Sequence, residues 1–189
     1  GLLKSLEKLF LHNNKLISLP ESFGQLKALS SLTLENNKLT SLPDSIGELT
    51  SLTSLNLHDN NLESLPESIG SLKSIAELNV SENRLISLPE SIFQLTALKT
   101  LNIENNSITK LPESIGQLKS LTSLIIGRNS LKSFPEVIIR MNSLKKLNIG
   151  ENQFKKIPKS LEKLSGLTSL TLNNFKITEF PKFITKMTS

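Results

Sequence analysis

The 23 residues LTSLNLHDNNLESLPESIGSLKS, positions 52–74, decide the architecture of this chain. Ser54-Leu55-Asn56-Leu57-His58 alternates polar and apolar, the period of a short strand with one buried face. Pro66 fixes φ and opens Pro-Glu-Ser-Ile-Gly, which reads as one helical or 3-10 turn with proline in its first position. Ile69 and Leu72 then point back to the core. A strand this short cannot stand alone. A step of 23 residues to the next strand leaves room for a turn and a compact return, which predicts parallel strands and stacked units.

The same unit recurs from Leu6, Leu29, Leu52, Ile75, Leu98, Leu121, Leu144 and Leu167, with no insertion or deletion. Its consensus is LxxLxLxxNxLxxLPxSIxxLxx, and repeat positions 1, 4, 6, 11, 14, 18 and 21 are Leu, Ile, Val, Phe or Met in all eight copies. All 189 residues therefore read as one domain of eight repeats, with residues 1–5 as the tail of a preceding repeat. Position 9 is Asn14, Asn37, Asn60, Asn83, Asn106, Asn129 and Asn152. A carboxamide there both donates to and accepts from backbone groups of its own and the neighbouring turn, so these residues read as a buried ladder. Phe175 replaces the ladder Asn in the last copy, where a terminal repeat has no next neighbour to accept a bond; with Phe180, Phe183 and Met187 it reads as a cap.

This pattern resembles the leucine-rich-repeat family over essentially the whole chain. The 23-residue form with Leu-Pro and Ser-Ile-Gly is similar to the subfamily found in secreted proteins of pathogenic leptospires, and also to the intracellular Ras-scaffold type of eukaryotes. The resemblance implies an α/β solenoid, a horseshoe with a parallel β-sheet on the concave face and short helical or 3-10 turns on the convex face. It also implies ligand binding on the concave sheet. The cysteine-rich caps of extracellular animal members are missing, because the chain has no cysteine.

Composition narrows the function. With 37% hydrophobic and 21% charged residues the chain can bury a core, and no run of apolar residues is long enough to span a membrane. Two histidines, no cysteine and no Gly-rich phosphate loop argue against an enzyme and against a cofactor. The carboxylates after proline (Glu21, Asp44, Glu67, Glu90, Glu113, Glu136) read as a stabilising row at the starts of the turns. Residues 29–97 carry three basic and nine acidic side chains, net −6, and residues 98–189 carry fifteen and six, net +9. The basic half, with Lys145, Lys146, Lys155, Lys156, Lys159 and Lys163 in one repeat, suits an acidic protein, an anionic glycan or a membrane surface. Nucleic acid is disfavoured, because no stacking aromatics accompany the lysines.

Function is expected in the columns the repeat leaves free, positions 3, 5, 7 and 8, which makes the chain a protein-binding module with an unidentified partner. Candidate contacts are Phe10, Asn56, Asn79, Asn102, Ile125, Gly127, Arg128, Lys146, Asn148 and Gly150. Ile125 is the aliphatic residue exposed at position 5, and Gly127 and Gly150 are expected to leave a dip beside it, bordered by Arg128 and Lys146. His12, Glu35 and His58 occupy position 7 of consecutive repeats, a carboxylate between two imidazoles, and with Asp59 nearby they form a candidate surface site for zinc or nickel. Two function classes stay open: a secreted or cell-surface bacterial module that binds host protein, with its signal peptide outside this chain, or a cytoplasmic scaffold or effector half that binds a signalling protein.

Overall fold

A computed structural model describes residues 3–175 and 178–187. Gly1 and Leu2 of the N-terminal tail, and Ile177 at position 11 of the last repeat, lie outside the described residues. Eight short strands form one parallel sheet in sequence order: β1 Lys8–Phe10, β2 Ser31–Thr33, β3 Ser54–Asn56, β4 Glu77–Asn79, β5 Thr100–Asn102, β6 Ser123–Ile125, β7 Lys146–Asn148 and β8 Ser169–Thr171. Each strand spans positions 3–5 of its repeat, and each pairs with the next in register, so that Leu9, Leu32, Leu55, Leu78, Leu101, Leu124, Leu147 and Leu170 form one column. The sheet is open, and 3-10 turns back it, as a leucine-rich-repeat horseshoe requires.

The turns are η1 Glu21–Gln25, η2 Asp44–Glu48, η3 Glu67–Ser71, η4 Glu90–Gln94, η5 Glu113–Gln117, η6 Glu136–Arg140, η7 Lys159–Lys163 and η8 Ile184–Lys186. Proline stands one residue before each of the first seven rather than inside it. Its φ of −65 to −76° is extended in ψ, and its carbonyl accepts the first 3-10 bond, as from Phe23 N to Pro20 O at 2.9 Å. Of the acidic residues that follow, Glu21, Glu67, Glu90 and Glu136 reach the next repeat instead of their own turn. Glu21 accepts from Ser45 N and Glu67 from Ser91 N, both at 3.2 Å, while Glu90 accepts from Ser114 Oγ at 2.7 Å.

Between sheet and turns lies one continuous core, with Leu29, Leu52, Ile75, Leu98 and Leu121 all at 0% exposure. The Ser-Ile-Gly motif sets how closely the turns stack. A Cβ built on Gly47 would lie 2.3 Å from the carbonyl oxygen of Ser68 and 2.8 Å from its Cβ, so glycine is what lets the next turn approach. Phe93 takes this position in the fourth repeat, fully buried, and the turns beyond it pack more openly. At the C-terminal end Phe134, Phe154 and Phe175 form a contiguous run, with ring centroids 6.3 and 5.7 Å apart. Phe183 and Met187 also pack on the core, but Phe180 is 65% exposed and takes no part in that cap. Among the described residues no helix is long and apolar enough to cross a membrane.

Candidate functional site on the concave sheet

The position-5 side chains do two things. In Asn56, Asn79, Asn102 and Asn148 the side-chain oxygen accepts the N–H two residues on, from His58, Ser81, Glu104 and Gly150, each at 3.1 Å. This closes an Asx-type turn where the strand leaves the sheet. The amide nitrogens are left to face neighbours: Asn56 donates to Glu35, Asn102 to Ser81 Oγ at 3.4 Å, and Asn148 to Glu104 at 3.0 Å. The recurrence of Asn at a strand position that usually favours β-branched residues is the sequence signal for this role.

A hollow of about 320 Å³ opens on the concave face over β2–β6, walled by Thr33, Ser54, Asn56, Glu77, Asn79, Thr100, Asn102 and Ile125 and floored by Leu55 and Leu78. It lies toward the N-terminus of the dip expected around Gly127 and Gly150. That dip does not exist. A Cβ at Gly127 would meet the Asn148 carboxamide at 2.9–3.1 Å and one at Gly150 would meet Asn173 Oδ1 at 1.7 Å, so neighbouring side chains already fill both spaces. Both glycines are buried, and Ile125 is half-buried rather than free-standing at the rim of the hollow. Phe10 is 59% exposed on the edge strand β1, and Lys146 is exposed on β7; neither lines the hollow. Two other hollows, of about 280 and 470 Å³, lie at the ends of the stack, against Phe23 and Leu26 and against Phe175 and Phe183.

Position 8 is not a concave column. Asn13, Asn36, Asp59, Glu82, Asn105, Arg128, Glu151 and Asn174 all adopt φ of 52–59°, the left-handed turn by which the chain leaves the sheet. Asn and Asp tolerate that conformation, and their prevalence there is its signature in sequence. Arg128 instead bridges to Glu151 at 3.0 Å on the exposed rim. That hydrogen bond holds the Glu151 carboxyl below the usual carboxylate range and raises Arg128 further.

His12, Glu35 and His58 share one row but do not converge. Glu35 is engaged by the Asn56 amide and His58 Nδ1 lies 3.0 Å from Ser81 Oγ; among the described residues no three His, Asp or Glu side chains are disposed to hold a metal. The expected zinc or nickel site is therefore corrected: neighbours in parallel register stand side by side, and Glu35 and His58 are each taken up by another partner. Ser81 is 4% exposed rather than a free concave side chain, and its hydroxyl donates to Asn79 Oδ1 at 2.7 Å. Because that oxygen only accepts, Ser81 must accept from His58, which keeps the proton on Nδ1. The hydroxyl points its proton away from the imidazole, so the pair lacks the geometry of an activated nucleophile.

The ladder is directional. Asn83 Nδ2 donates to Val80 O and Ser81 O of its own repeat, both at 3.1 Å, and to Leu57 O of the preceding one at 3.0 Å; its oxygen accepts from Leu62 N at 2.9 Å. Asn37, Asn60, Asn106, Asn129 and Asn152 repeat this pattern, each reaching backward. Asn14, with no described repeat before it, bonds only Leu11 O and His12 O, at 3.1 and 3.2 Å. Phe175 thus does not replace Asn for want of a next neighbour. An Asn there would have served the seventh repeat, and the ring instead packs on Phe154 of that repeat.

One in-register strand per 23-residue repeat, a backing of 3-10 turns, an Asn ladder and a polar concave hollow define a solenoid of the protein-interaction class, a typical non-enzymatic scaffold. The chain belongs to the leucine-rich-repeat family: the pattern of a leucine-rich repeat region matches residues 53–126 and 97–189, and that of leucine-rich repeats in two copies matches residues 4–47. It resembles a leucine-rich-repeat protein of Leptospira interrogans, 38% identical with a TM-score of 0.78, covering 98% of this chain and 53% of that one. An internalin from Listeria monocytogenes is 32% identical with a TM-score of 0.81, over 91% of this chain and 49% of that one. A plant peptide hormone receptor, solved in complex with RGF2, is 30% identical with a TM-score of 0.68, over 92% and 33%. The chain thus spans about half the length of the two bacterial proteins. No curated protein sequence matches it significantly.

Proposed function

We propose that the chain recognises a protein partner through its concave sheet, as a secreted or surface-displayed bacterial module in adhesion or host interaction. The observation that carries this reading is the hollow over β2–β6, where hydroxyl and carboxamide side chains and Glu77 lead up to a half-buried Ile125 at one end. An apolar anchor with a polar surround is the arrangement that concentrates binding energy. The resemblance to the leptospiral protein and to the internalin favours the extracellular setting over the cytoplasmic one. The basic C-terminal half adds a second, weaker attraction for an anionic glycan or surface.

The test is affinity capture from a host-surface extract and from a cytosolic extract, with wild type and Ile125→Asp compared side by side after circular dichroism confirms that both are folded. A partner taken from the surface extract that binds Ile125→Asp at least about tenfold more weakly, about 1.4 kcal/mol, supports the proposal. Equal binding by the two proteins overturns the concave-face assignment, and capture from the cytosolic extract alone overturns the extracellular one.

A further inference from the structure

Resting on that concave-sheet reading, we propose that the β3–β6 part of the hollow takes an extended, polyproline-like polypeptide segment bearing a Lys or Arg side chain. Glu77 seats the cation, the Asn79 amide two residues along the same strand holds the backbone carbonyl of that same Lys or Arg residue, and Ile125 receives an apolar side chain three residues away.

Glu77 is the one charged side chain that lines the hollow. It is exposed, it makes no ion pair among the described residues, and in register it stands between Ser54 and Thr100, whose small hydroxyl side chains leave space on both sides of the carboxylate. The surrounding field has the same sign. At positions 3, 5 and 7 of repeats two to five the charged residues are Glu35, Glu77 and Glu104, with no Lys or Arg among them. A trough of this kind draws in a cationic segment and repels an anionic one.

Asn79 supplies the second contact. Its oxygen is already occupied by the Ser81 N–H and hydroxyl, but among the described residues its amide nitrogen donates to no acceptor. The corresponding nitrogens of Asn56, Asn102 and Asn148 are spent on Glu35, Ser81 and Glu104. An open N–H donor beside a carboxylate matches a backbone carbonyl beside a cationic side chain.

Spacing selects the conformation. Asn79, Asn102 and Ile125 lie in register on consecutive strands, so two strand separations of about 4.8 Å put Ile125 about 9.6 Å from Asn79. A polyproline helix rises about 3.1 Å per residue and returns each third side chain to the same face at about 9.3 Å. A β-strand laid across the sheet returns each second side chain at about 6.7 Å, out of step with the columns.

The experiment uses three bead-bound libraries of otherwise randomised nonapeptides, fixed as Lys-x-x-Leu, Glu-x-x-Leu or Lys-x-x-x-Leu. Wild type, Glu77→Gln and Ile125→Asp are screened, and affinities of the selected peptides are measured at low and high salt. The expected result is at least about tenfold preference of wild type for Lys-x-x-Leu over both other libraries. Glu77→Gln, an exposed near-isosteric change, removes the discrimination between Lys and Glu, and high salt shrinks it. No preference, a preference for Glu, or a Lys preference that survives Glu77→Gln overturns the inference. Peptides that are lost in Ile125→Asp but indifferent to Glu77→Gln leave the concave-sheet reading standing and this inference fallen; no binding in any library, or none sensitive to Ile125→Asp, counts against both.

Discussion

Replacing Asn83 by alanine measures what the ladder contributes, and its cost follows from which groups lose their only partner. Asn83 makes four hydrogen bonds, three as donor and one as acceptor. The three carbonyls it serves keep another donor each: Leu57 O retains Asn60, Val80 O retains Asn106, and Ser81 O retains the Asp59 N–H. The Leu62 N–H has no such reserve, because Asn83 Oδ1 is its acceptor and Leu62 is fully buried. One orphaned buried donor costs about 1–3 kcal/mol, and three weakened carbonyls add to it, so Asn83→Ala is expected to lose about 2–3 kcal/mol. Asn14→Ala is the matched control: it deletes the same side chain from an exposed site with bonds inside its own repeat only, and is expected to cost under about 0.5 kcal/mol. Urea unfolding of the two variants and wild type, followed by circular dichroism, reads the difference. Hydrogen exchange at Leu62 shows whether the loss is local. Midpoints for the two variants that agree within error would refute the backward-reaching ladder, because both remove one Asn and the partly buried cross-repeat bonds of Asn83 are what distinguish them.

Two further outcomes follow from backbone geometry. Gly47→Ala forces a methyl group to 2.3 Å from the Ser68 carbonyl oxygen and is expected to destabilise by about 1–3 kcal/mol, whereas Gly166→Ala meets nothing closer than the flexible Lys145 ammonium at 3.2 Å and is expected to be nearly neutral; thermal melts of the pair compare them. Glu82 holds φ of 53° where four other repeats carry Asn, so Glu82→Asn is expected to raise stability by up to about 1 kcal/mol, seen as a higher urea midpoint at unchanged slope; a lower midpoint would show that the glutamate makes a compensating contact.

What each repeat does within itself was legible in the sequence. Leucines alternating through Leu55 and Leu57 mark a strand, Pro66 marks the return, and an invariant 23-residue period forces successive strands into parallel register; none of this depends on knowing the neighbour in detail. The ladder position was legible too, since an Asn between two apolar positions has only the backbone to satisfy it. What passes between repeats was decided by the tertiary structure. Asn83 reaches backward because the offset between stacked turns brings Leu57 O and Leu62 N, rather than groups of the following repeat, within bonding distance. The same stacking carries Asn148 and Asn173 over Gly127 and Gly150 and closes the expected dip. It leaves Glu35 bonded to Asn56 and His58 beside Ser81, so a row that looks like a metal site on paper does not converge. The hollow lies over Glu77 and Asn79 for a related reason: the side chains of Thr33, Ser54 and Thr100 on nearby strands are short and leave room above the sheet. Periodicity in sequence names the column a residue occupies; the rotamer and its cross-repeat hydrogen bond determine whether that column is open to a partner.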